Sequence, residues 1–501
     1  MMRPDTHSPA KRAKLPTIDP EAADQVVVLG GGPAGLTAAY QLGKRGVNSL
    51  VLEKSGMLGG HARTESYNGY RFDIGGHRFF TKIEQVNEIW REVLGDEFRK
   101  TQRLSRIYYN DKFFDYPLKL FNVLKGLGLV NSALMLFSYL YARIHPYPQE
   151  ENLEEWVSNR FGRRLFKTFF KTYTEKVWGI PCTEIRAEWA AQRITNLTFL
   201  VALKNAIFKP KVAAAKTLIE EFEYPRLGPG MMWETMRDKI VDRGSTVHLN
   251  SDVVRIERSG NRIERVIVKA PDGQEEAIYG SHFISSIPIK ELVLHLDPPP
   301  PAHVLEAIHK FKYRDFMSVT LIVNKEHLFP DNWIYIHSPK VKVGRIQNFK
   351  NWSPDMVPDL SKTCVGMEYF CNVGDELWTK DDKALIEQAR QELGVIGLAD
   401  PADIEDGIVI RQPHAYPVYD SEYHDARDII RSYIDSLENL QSIGRNGLHR
   451  YDNQDHAMLS AILAVRNIMG ESNDLWTVNT EKEYHEVVIE EKTEVSAVAA
   501  D

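Results

Sequence analysis

At 501 residues the chain exceeds what one hydrophobic core fills, so two or three domains are expected, and a 43% hydrophobic fraction is enough to build them. Its 62 basic and 69 acidic residues leave a net charge of -7, which gives no reason to expect a nucleic-acid partner. Three cysteines, Cys182, Cys364 and Cys371, are too few for a disulfide framework and lack metal-ligand spacing, so no metal is expected and a reducing cytoplasm is the simplest compartment.

Residues 1–23 are rich in Pro, Lys, Arg and Asp, lack an apolar core of signal-peptide length, and read as a disordered tail. The first ordered element is expected in Val26-Val-Val-Leu-Gly-Gly-Gly-Pro-Ala-Gly35. Val26 to Leu29 read as a buried parallel strand and Gly30 as a tight turn. Gly32 lets backbone approach a pyrophosphate, and Gly35 lets the following helix, Leu36 to Lys44, pack on the strand. The N–H groups that open that helix attract phosphate. A second strand, Ser49 to Leu52, ends in Glu53, whose carboxylate can accept hydrogen bonds from both ribose hydroxyls and would repel a 2′-phosphate. Strand, turn, helix, strand and acid within about thirty residues make a dinucleotide-binding unit.

Two more glycine pairs follow. Met57-Leu-Gly-Gly-His-Ala-Arg-Thr64 supplies Gly59 and Gly60 with Arg63, and Tyr70-Arg-Phe-Asp-Ile-Gly-Gly-His-Arg-Phe-Phe80 supplies Gly75 and Gly76 with His77. Nicotinamide domains have no need of these. A flavin dinucleotide lies extended and needs close backbone approach well beyond the first turn, so FAD is the expected cofactor, with NADH or NADPH as a candidate reductant. Ordinary hairpin turns are the competing explanation of either pair alone.

Residues 85–242 read as a mostly helical insertion, clearest at Leu153 to Phe161 and Leu165 to Val177, opening onto Trp178-Gly179. Within it Leu124 to Ile144 is apolar nearly all round, broken by Lys125, two glycines, Asn131 and two serines. Its uninterrupted part falls short of the roughly twenty apolar residues a bilayer needs, so a buried helix or dimer face is expected ahead of shallow membrane contact.

Strand patterns return at 243–295, with Thr246 to Leu249, Val253 to Glu257, Ile263 to Lys269 and His282 to Pro288, and Val254 is assigned to the cofactor. Residues 296–435 alternate runs such as Met317 to Val323 and Cys364 to Phe370 with a helix at Asp381 to Leu393. Residues 436–475 give a short strand, Gly444-Arg445, and a helix from about Asn453 to Met469. Asp452 or Asn453 can cap that helix, whose positive end points at the flavin. Residues 476–501 read as an acidic tail. The fold class is α/β: a Rossmann-like FAD-binding domain assembled from segments 24–84, 243–295 and 436–475, with a helical insertion and a mixed-sheet substrate domain.

Asp73-Ile-Gly-Gly-His77, Tyr173-Thr-Glu-Lys-Val-Trp-Gly179, and Gly444-Arg445 with Arg450-Tyr-Asp-Asn-Gln-Asp-His456 resemble UDP-galactopyranose mutases, nearer in pattern to the eukaryotic branch. The resemblance runs in order from about residue 25 to 470. It implies the fold of the wider flavin amine oxidase, protoporphyrinogen oxidase and desaturase superfamily. In such mutases reduced flavin acts without net redox change: its N5 attacks the anomeric carbon of a nucleotide sugar as the diphosphate leaves, and the sugar ring opens and recloses. By motif position the resemblance makes Arg193 and Arg345 phosphate-binding arginines, and Tyr416 and Tyr451 phosphate-binding tyrosines. It also makes Arg445 an arginine near the flavin, and His77 a histidine on a loop that responds to flavin reduction. Arginine forks suit a diphosphate leaving group best. Trp178 and Thr174 are the expected substrate-lining residues.

The pattern departs at the nucleotide end. Thr174 stands where eukaryotic members have asparagine, the bacterial members' second arginine after Arg193 is missing, and Phe114-Asp-Tyr-Pro-Leu-Lys119 lacks the glutamine-bearing pattern. The resemblance therefore implies a nucleotide sugar without naming UDP-galactose, and leaves room for another or a lipid-linked sugar. An oxidase or desaturase taking hydride from an apolar or amine substrate is the rival on the same fold. A flavin-bound scaffold without activity is a third reading.

Overall fold

Four apolar residues in a row, Val26–Leu29, are buried on both faces, as the middle strand of a covered parallel sheet requires. The computed structural model describes residues 25–116, 120–187 and 221–479. It orders this sheet as Leu440–Ser442, His282–Ser285, Val26–Leu29, Ser49–Leu52 and Thr246–His248, with every neighbouring pair parallel. The strands come from distant stretches of the chain, as the scattered patterns imply, and the mixed α/β Rossmann-like class is the one observed.

The Pro33–Gly43 helix starts with Pro at its first turn and is buried almost throughout. Helices Gly230–Asp242 and Gln454–Ile468 pack on it, Glu84–Leu94 packs on both of these, and Leu36, Tyr40, Trp90, Trp233, Met236 and Val465 share one core. Glu84–Leu94 and Gly230–Asp242 belong to the 85–242 stretch read as insertion. Their amphipathic faces instead complete the core of the nucleotide domain, because periodicity marks an apolar face without saying what it meets. On the other side of the sheet Ala302–His309 and Tyr423–Asp435 pack with Val27, Leu29 and Phe283, so these helices of the 296–435 region also belong to the first domain.

The second large sheet has seven strands, ordered Ile404–Pro417, Tyr313–Val323, Thr363–Cys371, Arg345–Asn348, Trp333–Ile336, Ser105–Tyr109 and Lys112–Asp115. Its last two strands form a hairpin through Asn110 and Asp111, at φ 50° and 57°, the left-handed pair that a two-residue turn demands. The insertion is therefore not all helical. Ser105–Tyr109 has two adjacent buried residues, Ile107 and Tyr108, which break the alternation that would have marked it as a strand.

It also carries an antiparallel pair, Phe98–Gln102 with Glu221–Pro225, and its described helices are Leu120–Leu127, Leu129–Ile144, Leu153–Phe161, Arg163–Phe166, a π-helical turn at Lys167–Lys171, and Thr172–Trp178. Asn152 caps the third of these, its Oδ1 accepting from the Glu155 N–H at 3.1 Å. The apolar 124–144 stretch, expected as a buried helix or a dimer face, is not buried within the chain on its outer side, where Val130 and Phe137 are 75% and 68% exposed. Among the described residues no helix is long and apolar enough to cross a membrane.

Residues 476–479, assigned to the tail by composition, are packed: Trp476 and Val478 are buried, and Arg450 donates to the carbonyls of both. The expected tail of residues 1–23 and the stretch from 480 lie outside the described residues. Cys182, Cys364 and Cys371 are free and buried, and burial pushes all three thiols up.

Two buried histidines make stability depend on pH. His337 and His449 are 4% and 0% exposed, and burial pushes both imidazoles down to about 3, helped by Lys176 beside the first and Lys290 beside the second. Both stay neutral in the folded chain while the unfolded chain takes up protons below about 6.5. The stability this carries is present above that pH and is lost as pH falls toward 3, at about 1.4 kcal/mol per pH unit for each group. His449→Phe keeps the ring that stacks on Phe311 with centroids 4.1 Å apart. Scanning calorimetry is expected to show a shallower acid-side fall in Tm for this variant, and an unchanged slope would mean that His449 already takes up its proton in the folded state.

Candidate active site

A cavity of about 1110 Å³ lies between the two large sheets and the insertion. That is above the roughly 300–1,000 Å³ of ordinary small-molecule sites. The first domain supplies Gly30, Gly32, Glu53, Gly60, Arg63, Gly75, Gly76, His77, Gly444, Arg445, Tyr451 and Asn453 to its wall. Thr174 and Trp178 come from the insertion, and Arg345 and Tyr416 from the seven-stranded sheet. Arg193 lies outside the described residues.

Gly35 and Gly59 stand behind the wall and act through the backbone. A Cβ on Gly35 would sit 1.9 Å from the Gly30 carbonyl oxygen, so only glycine lets the helix close on the turn. Gly59 turns at φ 99° against Trp233. Gly32 is different: an added Cβ would meet nothing nearer than Gly60 Cα at 3.8 Å, so it keeps the wall open to a ligand. Sequence reading left Gly31 unassigned, yet a Cβ there would stand 2.7 Å from Leu58. The Gly31 N–H donates to Glu53 Oε2 at 2.7 Å and the Ser55 N–H to Oε1 at 2.8 Å. These bonds orient the carboxylate and leave it lone pairs for a ribose. Val254 is not in the cavity wall, which takes Ser251, Asp252 and Val253 instead; Val254 falls at a break in the register of the Asp252–Ser259 strand, between Val253, paired with Val268, and Arg255, paired with Ile267.

Helices Pro33–Gly43 and Gln454–Ile468 both bring their N-terminal turns to this cavity. Asn453 is the N-cap of the second, and its N–H donates to His456 Nδ1 at 3.3 Å. A glycine cradle, an oriented acid and two helix N-termini fit a long anionic cofactor.

Facing them is a cationic and aromatic group. Arg345 and Glu368 are register partners on antiparallel strands, and the Arg345 Nε donates to Glu368 Oε2 at 2.5 Å. Gln347, two residues on and on the same face, donates to Glu368 Oε1 at 2.8 Å. Burial pushes the Glu368 carboxyl up, and Arg345 and Gln347 pull it back. The Arg345 fork is thus held at one edge, with Nη2 3.5 Å from where a Cβ on Gly75 would be. Tyr416 and Tyr451 stack with centroids 5.6 Å apart, and the Arg445 guanidinium lies 4.3 Å from the Tyr451 ring. Arg445 is tied to the Ala415 and Asp452 carbonyls at 2.6 and 3.0 Å. His77 is pushed down to about 3 by burial and by Arg445 and Arg345, so its imidazole is neutral.

The helix that carries Thr174 and Trp178 is fixed to the second sheet from both sides. Lys176 Nζ donates to the carbonyls of Ser338 and Val343 at 2.8 and 3.0 Å, and Arg314 Nε donates to that of Val177 at 3.2 Å. Gly179, at φ 68°, leaves room for Arg314, whose Cζ would lie 2.6 Å from any Cβ there. Sequence reading missed the next layer: Tyr173, stacked on His337 at 4.8 Å, and Tyr335, edge-on to Tyr173 at 5.4 Å. Tyr173 and Val177, four residues apart on this helix, line the cavity beside Thr174 and Trp178, which repeat the same spacing one residue on.

The parallel sheet, the glycine cradle and the helix N-termini define a nucleotide-cofactor-binding protein of the Rossmann-like class. A family model of flavin containing amine oxidoreductases matches residues 33–406, and the chain belongs to that family; it is a flavoprotein. Among curated relatives it is 24% identical over 283 residues to amine oxidase [flavin-containing] B of Sus scrofa, covering 55% of this chain and 52% of the relative. It is 25% identical over 282 residues to the chloroplastic prolycopene isomerase of Arabidopsis thaliana, covering 51% of this chain and 46% of the relative. The chain thus spans about half the length of these relatives. A solved structure of reduced UDP-galactopyranose mutase shares the fold, with a TM-score of 0.78 at 20% identity over 92% of this chain and 97% of that one.

Proposed function

We propose that this flavoprotein binds FAD and uses it, reduced, to isomerise the sugar ring of a nucleotide sugar without net redox change. The observation that carries the reading is Arg345: a cation at the cavity wall, held by a buried carboxylate and set beside the Tyr416–Tyr451 stack and Arg445. Bound and reduced, the flavin supplies an electron-rich N5 nucleophile. The chain's own residues bind and orient. Arg345 holds the diphosphate and stabilises its charge as it leaves, with Arg193 the proposed second fork. Burial keeps the Tyr416 phenol protonated, so it donates to a phosphate oxygen. Tyr451 joins it as a second donor. Trp178 and Thr174 close the sugar pocket, and the N-terminus of Gln454–Ile468 favours the reduced, anionic state of the cofactor. NADH or NADPH is the proposed reductant, and the free buried thiols suit a cytoplasmic setting.

A second reading has its own support. The cavity wall also carries Tyr116, Phe169, Phe170, Tyr173, Trp333 and Tyr335, an aromatic lining that suits hydride removal from an apolar or amine substrate. Dithionite-reduced protein, incubated without air with a panel of UDP-sugars, separates the two. Chromatography is expected to show pyranose and furanose forms interconverting for one of them. Reduction of the oxidised flavin by an amine or polyene, with no sugar isomerised, would establish the rival.

A further inference from the structure

The Leu129–Ile144 helix presents an apolar side to water. Met135, Tyr139 and Ala142 face inward at 5%, 2% and 5% exposure, whereas Val130, Phe137, Tyr141 and Ile144 are 75%, 68%, 58% and 72% exposed. With the exposed Leu134, Leu136 and Leu140 they cover an arc about 160° wide at 100° per residue, and the arc carries no charge. Among the described residues no element covers it.

Cations border this arc. Lys125, Arg143, Arg163, Arg164 and Lys167 are exposed, and residues 120–149 hold no Asp or Glu, whereas Arg160 and Lys171 are paired with Glu150 and Glu175. Arg143 stands at one edge. At the other, Arg164 Nη2 donates to Asn131 Oδ1 at 3.0 Å, beside the exposed Arg163 and Lys167.

We propose that this face docks on an anionic phospholipid bilayer surface, with the apolar arc at the acyl boundary and the basic border against headgroup phosphates. Charge complementarity chooses the occupant. A second copy, paired about a two-fold axis, would set these basic borders against their like, whereas anionic headgroups neutralise them. The contact lies in the surface plane, since this helix has 16 residues and none among those described can span. Leu153 and Phe169 share an apolar cluster with Met135 and also line the cavity, so the docked face adjoins the cavity wall.

Flotation of the full-length holoprotein with phosphatidylcholine vesicles, and with vesicles rich in phosphatidylglycerol, tests this. Binding is expected to the anionic vesicles and to weaken with salt. Phe137→Glu is expected to lower partitioning about ten-fold or more. Replacing Arg163 and Lys167 by Gln is expected to lower it about five-fold per charge. Both changes lie on exposed positions, and Tm is expected to hold. Absence of vesicle binding, binding indifferent to these substitutions, or a dimer that Phe137→Glu dissociates without any vesicle binding would each overturn the proposal.

Discussion

Arg345→Ala is expected to lower kcat/KM about 100- to 1,000-fold while flavin stays bound, the loss seen when one oriented stabiliser of leaving-group charge is removed. Flavin should remain because the cradle that holds it is built on other strands, around Gly30, Gly32 and Glu53. The substitution has a side effect. Glu368 is 0% exposed, and Arg345 is its ion-pair partner, so truncation strands a buried carboxyl at a cost of about 3–5 kcal/mol. A fall in Tm alone would then blur the result. The double variant Arg345→Ala with Glu368→Gln removes that charge, and its Tm is expected to recover while turnover does not. Turnover near wild type in the double variant would take Arg345 out of the site.

Gly35→Ala is expected to be as severe by another route. The added Cβ falls 1.9 Å from the Gly30 carbonyl oxygen, which is backbone in a turn at φ 98° and cannot rotate away. The helix must shift from the strand, and the phosphate-facing N-terminus shifts with it. Overpacking of this kind costs about 1–3 kcal/mol or more. Both apoprotein Tm and flavin retention are expected to fall. Gly32→Ala is the matched control: with nothing nearer than 3.8 Å it should fold with an ordinary Tm and lose cofactor affinity alone. Equal apoprotein Tm values for the two variants, by calorimetry, would contradict these separate roles.

What could be read from the sequence was what is local. Strand, turn, helix and acid lie within residues 26 to 53, and each has a backbone reason that holds without knowledge of the rest. The cap of the last helix was legible to within one residue, Asp452 or Asn453, and the structure selects Asn453. Long-range assembly was less so. Helices Glu84–Leu94 and Gly230–Asp242 are separated by the insertion they were grouped with, and only the folded chain shows that they pack on each other in the core that buries Pro33–Gly43. Glu368 sits in a strand otherwise fully buried, a charge that signals a partner, but Arg345 lies 23 residues earlier and register alone pairs them. Val254 stands outside the cavity wall because the ladder breaks register between Val253 and Arg255, an irregularity that a strand pattern does not announce. The exposed arc of Leu129–Ile144 shows the limit of composition, since an apolar helix is expected inside until its neighbours are known.

Product formed per electron pair is the most direct test of the central claim. Protein reduced once with stoichiometric dithionite, without air or another acceptor, is given excess of the nucleotide sugar it accepts, and isomer formed is compared with flavin present. The expected result is many turnovers per flavin, with the absorbance still that of the reduced state at the end. No isomer at all, or at most one product per flavin accompanied by a change in its redox state, would contradict the account.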